Sequence, residues 1–307
     1  MEDLFKRSEL NPIITPDDMP YQVNTVFNAG AADLGDEVLL LMRVESYSGR
    51  SHFTVARSKN GETDWKIEKN GLMHPVEGYD VESYGLEDCR ITWMEDLQEW
   101  GMAYTAYSQY GAAIGVATTK DFKTVKRLGV AFPPDNKDAA LFPKKINGYY
   151  AMLHRPAFGG GNIWVGYSPD LIYWGRSRLV LPVRGGPWWD GLRVGAGIPP
   201  IETEKGWLLI YHGVKNMPGG PIYRVGGALL DLEKPHKLLA RSRRWLLSPE
   251  KQYEQVGDVP NVVFPCGGIV RDGELWLYYG SADSSISLAK AKISDILDII
   301  EKNAIEE

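Results

Sequence analysis

Tyr84-Gly85-Leu86-Glu87-Asp88-Cys89-Arg90 sets two carboxylates and a guanidinium between a glycine and an apolar strand, a group of charges that acid–base chemistry can use. On a regular extended segment, neighbours point to opposite faces. Glu87 and Asp88 are therefore expected to serve different roles, while Asp88 and Arg90 share a side. A cation next to Asp88 keeps it ionised and burial against a sugar ring pushes the other way, so the balance of the two tunes a general acid. A structural ion pair at a strand end accounts for these residues equally well.

More polar residues interrupt apolar runs elsewhere. Arg43 follows Leu39-Leu40-Leu41-Met42, His154-Arg155 follow Tyr150-Ala151-Met152-Leu153, His212 follows Leu208-Leu209-Ile210-Tyr211, and Asp283 lies just past Tyr278-Tyr279-Gly280. Each alone reads as a satisfied core histidine or a strand cap, but recurrence at one place in several strands points to a shared pocket. Lys137, in the segment 135–143, and Arg193, within Gly191-Leu192-Arg193-Val194-Gly195, add cations. Turn chemistry explains the glycines and prolines around them, and not the cations themselves.

Strands must bring these residues together, and a weak repeat supplies them. Apolar openers run from Val38 to Val44, Gly101 to Tyr107, Tyr149 to Arg155, Trp207 to Gly213 and Leu275 to Ser281. Second strands follow at Phe53 to Ser58, Ile114 to Thr119, Ile163 to Ser168, Tyr223 to Ala228 and Ile286 to Ala291. The spacing, roughly 50 to 70 residues, suits four-stranded propeller blades with long loops, and about five of them. The expected fold is all-β, a five-bladed β-propeller whose inner strands meet at a central channel. Helical periodicity is confined to the end, where a short helix is expected over 293–305. Residues 1–20, with Pro12, Pro16 and Pro20, read as an irregular arm, and no linker divides the chain, so 1–307 is expected to be one catalytic domain.

Composition narrows the partners. A net charge of −6 without a long basic run argues against nucleic-acid or membrane-surface binding. The 10 Trp and 16 Tyr suit stacking on sugars as well as filling β cores. The charged N-terminus lacks a signal-peptide core and no stretch is long enough to span a bilayer, which implies a cytoplasmic protein. Cys89 and Cys266 have no second thiol or metal-ligand spacing nearby, so they are expected to be buried free thiols and no metal site is expected.

Taken in order, Val26-Phe27-Asn28, Leu41-Met42-Arg43-Val44-Glu45, Gly85-Leu86-Glu87-Asp88-Cys89-Arg90-Ile91, Asn136-Lys137-Asp138-Ala139-Ala140-Leu141-Phe142-Pro143, Leu153-His154-Arg155-Pro156, Tyr211-His212-Gly213 and Val262-Val263-Phe264-Pro265 resemble glycoside hydrolase family 130, the β-mannoside phosphorylases. The resemblance covers nearly the whole chain. It implies a five-bladed propeller that cleaves a β-mannosidic bond of a short mannose-containing oligosaccharide with inorganic phosphate, inverting to α-mannose 1-phosphate. Asp88 would be the proton donor, acting through the 3-hydroxyl of the mannose. Lys137, Arg155, Arg193, His212 and Tyr223 would bind phosphate. Asn28 and Arg43 would hold the mannose with Asp88, and Arg50 and Asp283 would lie toward the acceptor sugar. Position 193 is Arg where lysine is common among relatives, which keeps the charge and changes the donor geometry. Cys89 replaces a common proline.

An inverting hydrolase needs a second carboxylate as base, whereas phosphate is already an anionic nucleophile and needs cations to place it. Glu87, facing away from Asp88, is expected to be structural. Phosphate is thus a co-substrate and no cofactor is expected. A hydrolase on the same fold and a non-catalytic sugar-binding propeller are the rival readings. Trp188-Trp189-Asp190 reads equally as a stacking wall or as blade closure. The N-terminal arm and terminal helix offer surfaces for a homo-oligomer.

Overall fold

The sequence of Val38–Glu45 is apolar from Val38 to Val44 apart from Arg43, a pattern for a strand covered on both faces rather than one. The computed structural model, which describes residues 2–302 apart from Gly159, covers it in that way. Val38, Leu40 and Met42 pack with Ile269, Tyr278 and Leu288, while Leu39 and Leu41 pack with Leu86, Ile91 and Tyr104. Alternate side chains of one strand thus enter two different cores.

The same plan recurs along the chain, which is all-β with a single long helix among the described residues. Sheet one contains Thr25–Asp33, Val38–Glu45, Ser51–Ser58 and Lys66–Ile67. Sheet two contains Gly85–Met94, Glu99–Ser108, Gly111–Thr119 and Lys126–Phe132, and touches sheet one through a single parallel pair, Ser51 with Gly85. Sheet three contains Asn136–Leu141, Tyr150–Pro156, Ile163–Ser168 and Gly175–Leu181. Sheet four is built on Arg193–Ala196, Gly206–Met217, Gly220–Leu230 and Leu238–Arg241, with Ile201–Thr203 paired to its second strand. Sheet five contains Val263–Arg271, Glu274–Ser281 and Ser285–Lys292, and the N-terminal strand Lys6–Arg7 adds to its edge.

The expected openers and their followers are present, but each opener is the second strand of its sheet. The strand ahead of it is the one that reading the pattern missed. Those first strands break the alternation that identifies a strand. Register slips occur between Phe27 and Gly30, Glu87 and Arg90, Lys137 and Ala140, and Pro265 and Gly267. Each inserts an extra residue in the manner of a β-bulge.

Apolar cores lie between consecutive sheets: one with two, two with three, three with four, four with five, and five with one. The terminal helix, Ile293–Lys302, buries Ile296, Leu297 and Ile300 in the core between sheets four and five; the expected continuation over 303–305 lies outside the described residues. The N-terminal arm is likewise engaged within the chain, where Arg7 donates to the buried Glu254 and Phe5 enters the same core. Both segments expected to offer surfaces to a second copy therefore spend these side chains on their own fold. No helix among the described residues is long and apolar enough to cross a membrane.

Candidate active site

Three of the irregular first strands share one device. Asn28, Asp88 and Asp138 each sit in the bulge with a positive φ of 45°, 53° and 57°. Asn and Asp are the non-glycine residues that tolerate this left-handed conformation best, which explains the residue type. The turn redirects the side chain at the same level of each sheet. Because second strands run antiparallel, their far ends meet this level: Arg43 pairs with Phe27, Arg155 with Lys137, and His212 with Gly195.

The bulge overturns the expected facing of the opening motif. Arg43 donates from Nη1 to Asp88 Oδ1 at 3.1 Å and from Nη2 to Glu87 Oε1 at 2.9 Å, so both acids reach one guanidinium. Asn28 Nδ2 donates to the same Asp88 oxygen at 2.8 Å. Arg90 does not pair with the Asp88 carboxylate. Its three nitrogens donate at 2.9 Å to the backbone carbonyls of Asp88, Ala196 and Gly197, which ties sheet two to the strand carrying Arg193. Burial alone would raise the pKa of Asp88, yet the charges of Arg43, Lys137 and Arg90 and the Asn28 hydrogen bond hold it below the usual carboxylate value.

Asp283, in the left-handed conformation on the hairpin of sheet five, makes no hydrogen bond to another described residue. Burial, followed by the nearby negative charge of Asp88, pushes its pKa up to about 7 against the pull of Arg43 and Lys137. Two carboxyl groups in one pocket thus have opposite tendencies, one held ionised and one held protonated.

A second group of residues lies on sheets three and four. Arg155 Nε donates to Asp138 Oδ2 at 2.7 Å, and His212 Nε2 lies 3.5 Å from the same oxygen. Burial takes the His212 pKa down to about 3 despite Asp138, so the imidazole is neutral at physiological pH. It rests against Phe264 with ring centres 4.6 Å apart. Arg193 donates to the Tyr223 hydroxyl. Lys137, flanked by the charges of Asp138 and Asp88, is held protonated although burial opposes it, and neither Lys137 nor Arg193 has a carboxylate within 4 Å among the described residues. Lys137 links the two groups, since the charges of Asp88 and Asp138 both act on it.

The expected site residues Asn28, Arg43, Asp88 and Asp283 therefore form one group, and Lys137, Arg155, His212, Arg193 and Tyr223 the other. Arg50 stands apart, exposed on the 46–50 hairpin with no side-chain partner among the described residues. Trp189 is a core residue, stacked on Tyr211, and Asp190 accepts from Arg184, Arg241 and Tyr211, so these two close sheet four, while Trp188 lies half-buried beneath Arg184 and Arg243. His154 stacks on Phe132 and is a core histidine. Pattern reading missed Asp138, which organises Arg155 and faces His212. The signal for it was the acidic residue at the level of Asn28 and Asp88 in a third strand. Cys89 and Cys266 are buried free thiols. No group of three or more metal-ligating side chains occurs among the described residues.

Comparison with known proteins matches residues 2–302 to the model of glycoside hydrolase family 130, described as beta-1,4-mannooligosaccharide phosphorylase. A 1,2-beta-oligomannan phosphorylase from Thermoanaerobacter sp. is 40% identical over 80% of this chain and 80% of its own. A beta-1,4-mannooligosaccharide phosphorylase from Ruminococcus albus is 36% identical over 99% of this chain and 92% of its own. In three dimensions, the structure of the beta-1,2-mannobiose phosphorylase from Listeria innocua in complex with beta-1,2-mannobiose superposes with a TM-score of 0.89 at 33% identity, covering 97% of this chain and 99% of the other.

Proposed function

This chain belongs to glycoside hydrolase family 130, and on that premise we propose that it is an inverting β-mannoside phosphorylase that cleaves a mannose-containing oligosaccharide with inorganic phosphate to give α-mannose 1-phosphate. The observation that carries the reading is the cationic group beside Asp88. Lys137 and Arg193 have no carboxylate partner within 4 Å among the described residues, and Arg155 commits only Nε to Asp138, so their remaining donors suit a small dianion. Tyr223 and neutral His212 add hydrogen-bonding capacity at the same place. The buried atoms Asp138 Oδ1 and His212 Nδ1, which lack partners, mark polar capacity that a ligand can use.

In this reading Asn28 and Arg43 orient Asp88 against the mannose; Asp88 is ionised without ligands, and a phosphate dianion arriving beside Lys137 offsets the cations that lower its pKa, so that it takes up a proton in the ternary complex and passes it through the sugar 3-hydroxyl to the departing acceptor. Phosphate, held by Lys137, Arg155, Arg193, His212 and Tyr223, attacks the anomeric carbon from the opposite face. Asp283, protonated up to about pH 7, donates to a sugar hydroxyl on the acceptor side, with Arg50 further out on its hairpin. The five sheets would be the blades of a closed propeller, a reading supported by cores between every consecutive pair and between the fifth and the first. They make one catalytic domain. The unpaired buried thiols support a cytoplasmic setting, and the negative net charge supports small-molecule partners over nucleic acid or membrane. A homo-oligomer would use surfaces other than the terminal helix and arm. Phosphate is a co-substrate in this chemistry, which calls for no cofactor.

Substituting Arg155 or Arg193 by Ala should raise the KM for phosphate at least tenfold with a smaller change in the KM for the sugar. Equal effects on both constants would remove the cations from a phosphate site.

A further inference from the structure

Large aromatic side chains stand exposed at the mouth of sheet two, directly beyond the catalytic strand. Tyr84 is 45% exposed, Tyr107 42% and Tyr110 60%. Tyr84 N donates to Tyr107 O at 2.9 Å and their rings meet edge to face with centroids 5.8 Å apart, so the pair forms one fixed surface. Tyr110 sits on the hairpin that follows Tyr107.

These residues prolong the two strands that carry Asp88 and its cross-strand neighbours, since Gly85 pairs with Tyr107 and Glu87 with Thr105. Tyr84 precedes Asp88 by four residues, which at about 3.3 Å per residue sets them at most about 13 Å apart along the strand. That leaves room for the sugar next to the scissile bond and brings the tyrosines to the sugar after it. Glu87 lies between, with Oε1 bound to Arg43 and Oε2 making no hydrogen bond among the described residues, an acceptor open to a sugar hydroxyl on the way.

Tyrosine offers a flat apolar body and a polar tip, which matches a pyranose ring with an apolar C–H face and a hydroxylated rim. A protein partner would need a broad patch of about 800 Å² per side, whereas these rings stand beside only Gln109 and Gly111 on their hairpin. The rings lie on the strand pair that carries Asp88, which suits a single extended chain.

We propose that Tyr84 and Tyr107, extended by Tyr110, form a stacking platform for the second sugar on the acceptor side, so that the preferred substrate is a β-linked mannose chain of three or more units. The proposal rests on the phosphorylase reading of the pocket and adds a subsite to it.

Initial rates with saturating phosphate on β-1,4- and β-1,2-linked mannobiose and mannotriose test it. The unmodified protein should show a kcat/KM for one trisaccharide about tenfold above that for the matching disaccharide, the ratio expected for one aromatic stacking contact. That ratio should fall toward one in the Tyr84→Ala/Tyr107→Ala double variant and be retained in Tyr84→Phe/Tyr107→Phe. Tyr110→Ser, at the hairpin tip, should lower it partway if the double variant does not fold. A ratio near one in the unmodified protein, or an unchanged ratio in the Ala variants, overturns the platform. Absence of phosphorolysis on every sugar overturns the phosphorylase reading instead. Calorimetry then decides the platform: tighter binding of mannotriose than mannobiose that is lost in the Ala variants supports it, and equal binding refutes it.

Discussion

Asp88 is held by two donors, Asn28 and Arg43, that bind the same oxygen and would bind an amide oxygen as well. Asp88→Asn should therefore keep the pocket and its sugar affinity while lowering kcat by about a hundredfold to ten-thousandfold, the range for loss of a general acid. Calorimetry alongside kinetics separates the two, and undiminished turnover would take Asp88 out of the mechanism. Asp283 gives a pH signature. Its pKa is raised from 3.8 in the unfolded chain to about 7 in the folded one, so the folded state binds the extra proton and loses stability as pH rises through that window. Asp283→Asn does not carry that cost. The melting temperature of the variant relative to the unmodified protein should climb between about pH 4 and 7 and level off above. A pH-independent difference would show that Asp283 titrates normally. A cation beside Asp88 was legible from sequence, but which cation pairs with its carboxylate was not. The expected pairing with Arg90 assumed a regular strand, and the left-handed turn at Asp88 hands that role to Arg43, which is 45 residues away.

At the scale of elements, four of the five first strands are irregular, three of them where Asn28, Asp88 and Asp138 turn, and that irregularity hid them from a reading based on alternation. The second strands, largely apolar and mostly buried, were read to within two residues at each end except in sheet four, where Gly206–Met217 runs past the expected end at Gly213; the terminal helix was legible because Ile296, Leu297 and Ile300 follow helical spacing. Close packing at the bulges makes its own demands. A Cβ on Gly280 would overlap Asn28 Oδ1, so Gly280→Ala should displace Asn28 from Asp88 and cost activity on the order of a hundredfold, the effect of a misplacement near 1 Å. Full activity in that variant would show that Asn28 does not position the acid. Arg90 joins sheet two to sheet four through the backbone carbonyls of Ala196 and Gly197 and also binds that of Asp88, and its loss leaves buried acceptors unsatisfied at about 1–3 kcal/mol apiece. Arg90→Met should lower the denaturant midpoint accordingly.

For the whole molecule, the N-terminal strand closes the last sheet, and Arg7 is what secures it. Arg7 Nε donates to Glu254 Oε1 at 2.7 Å, and Glu254 is fully buried. Arg7→Ala removes the cation and leaves the carboxylate to the Tyr279 hydroxyl and the Glu250 and Lys251 amides, which should destabilise the protein by about 1.5–3 kcal/mol, read from chemical denaturation. A loss under about 1 kcal/mol would mean that the arm is dispensable to the fold. The repeat made the all-β class visible from sequence. It could not reveal which strands of different sheets meet, because that depends on packing between cores rather than on any local pattern. Phosphate, held by cations from sheets three and four, is proposed as the nucleophile beside an acid from sheet two. Phosphorus NMR of the purified protein with a β-linked manno-oligosaccharide and inorganic phosphate tests it most directly. The account predicts loss of the phosphate signal with matching growth of α-mannose 1-phosphate, and free mannose released at the same rate with and without phosphate would contradict it.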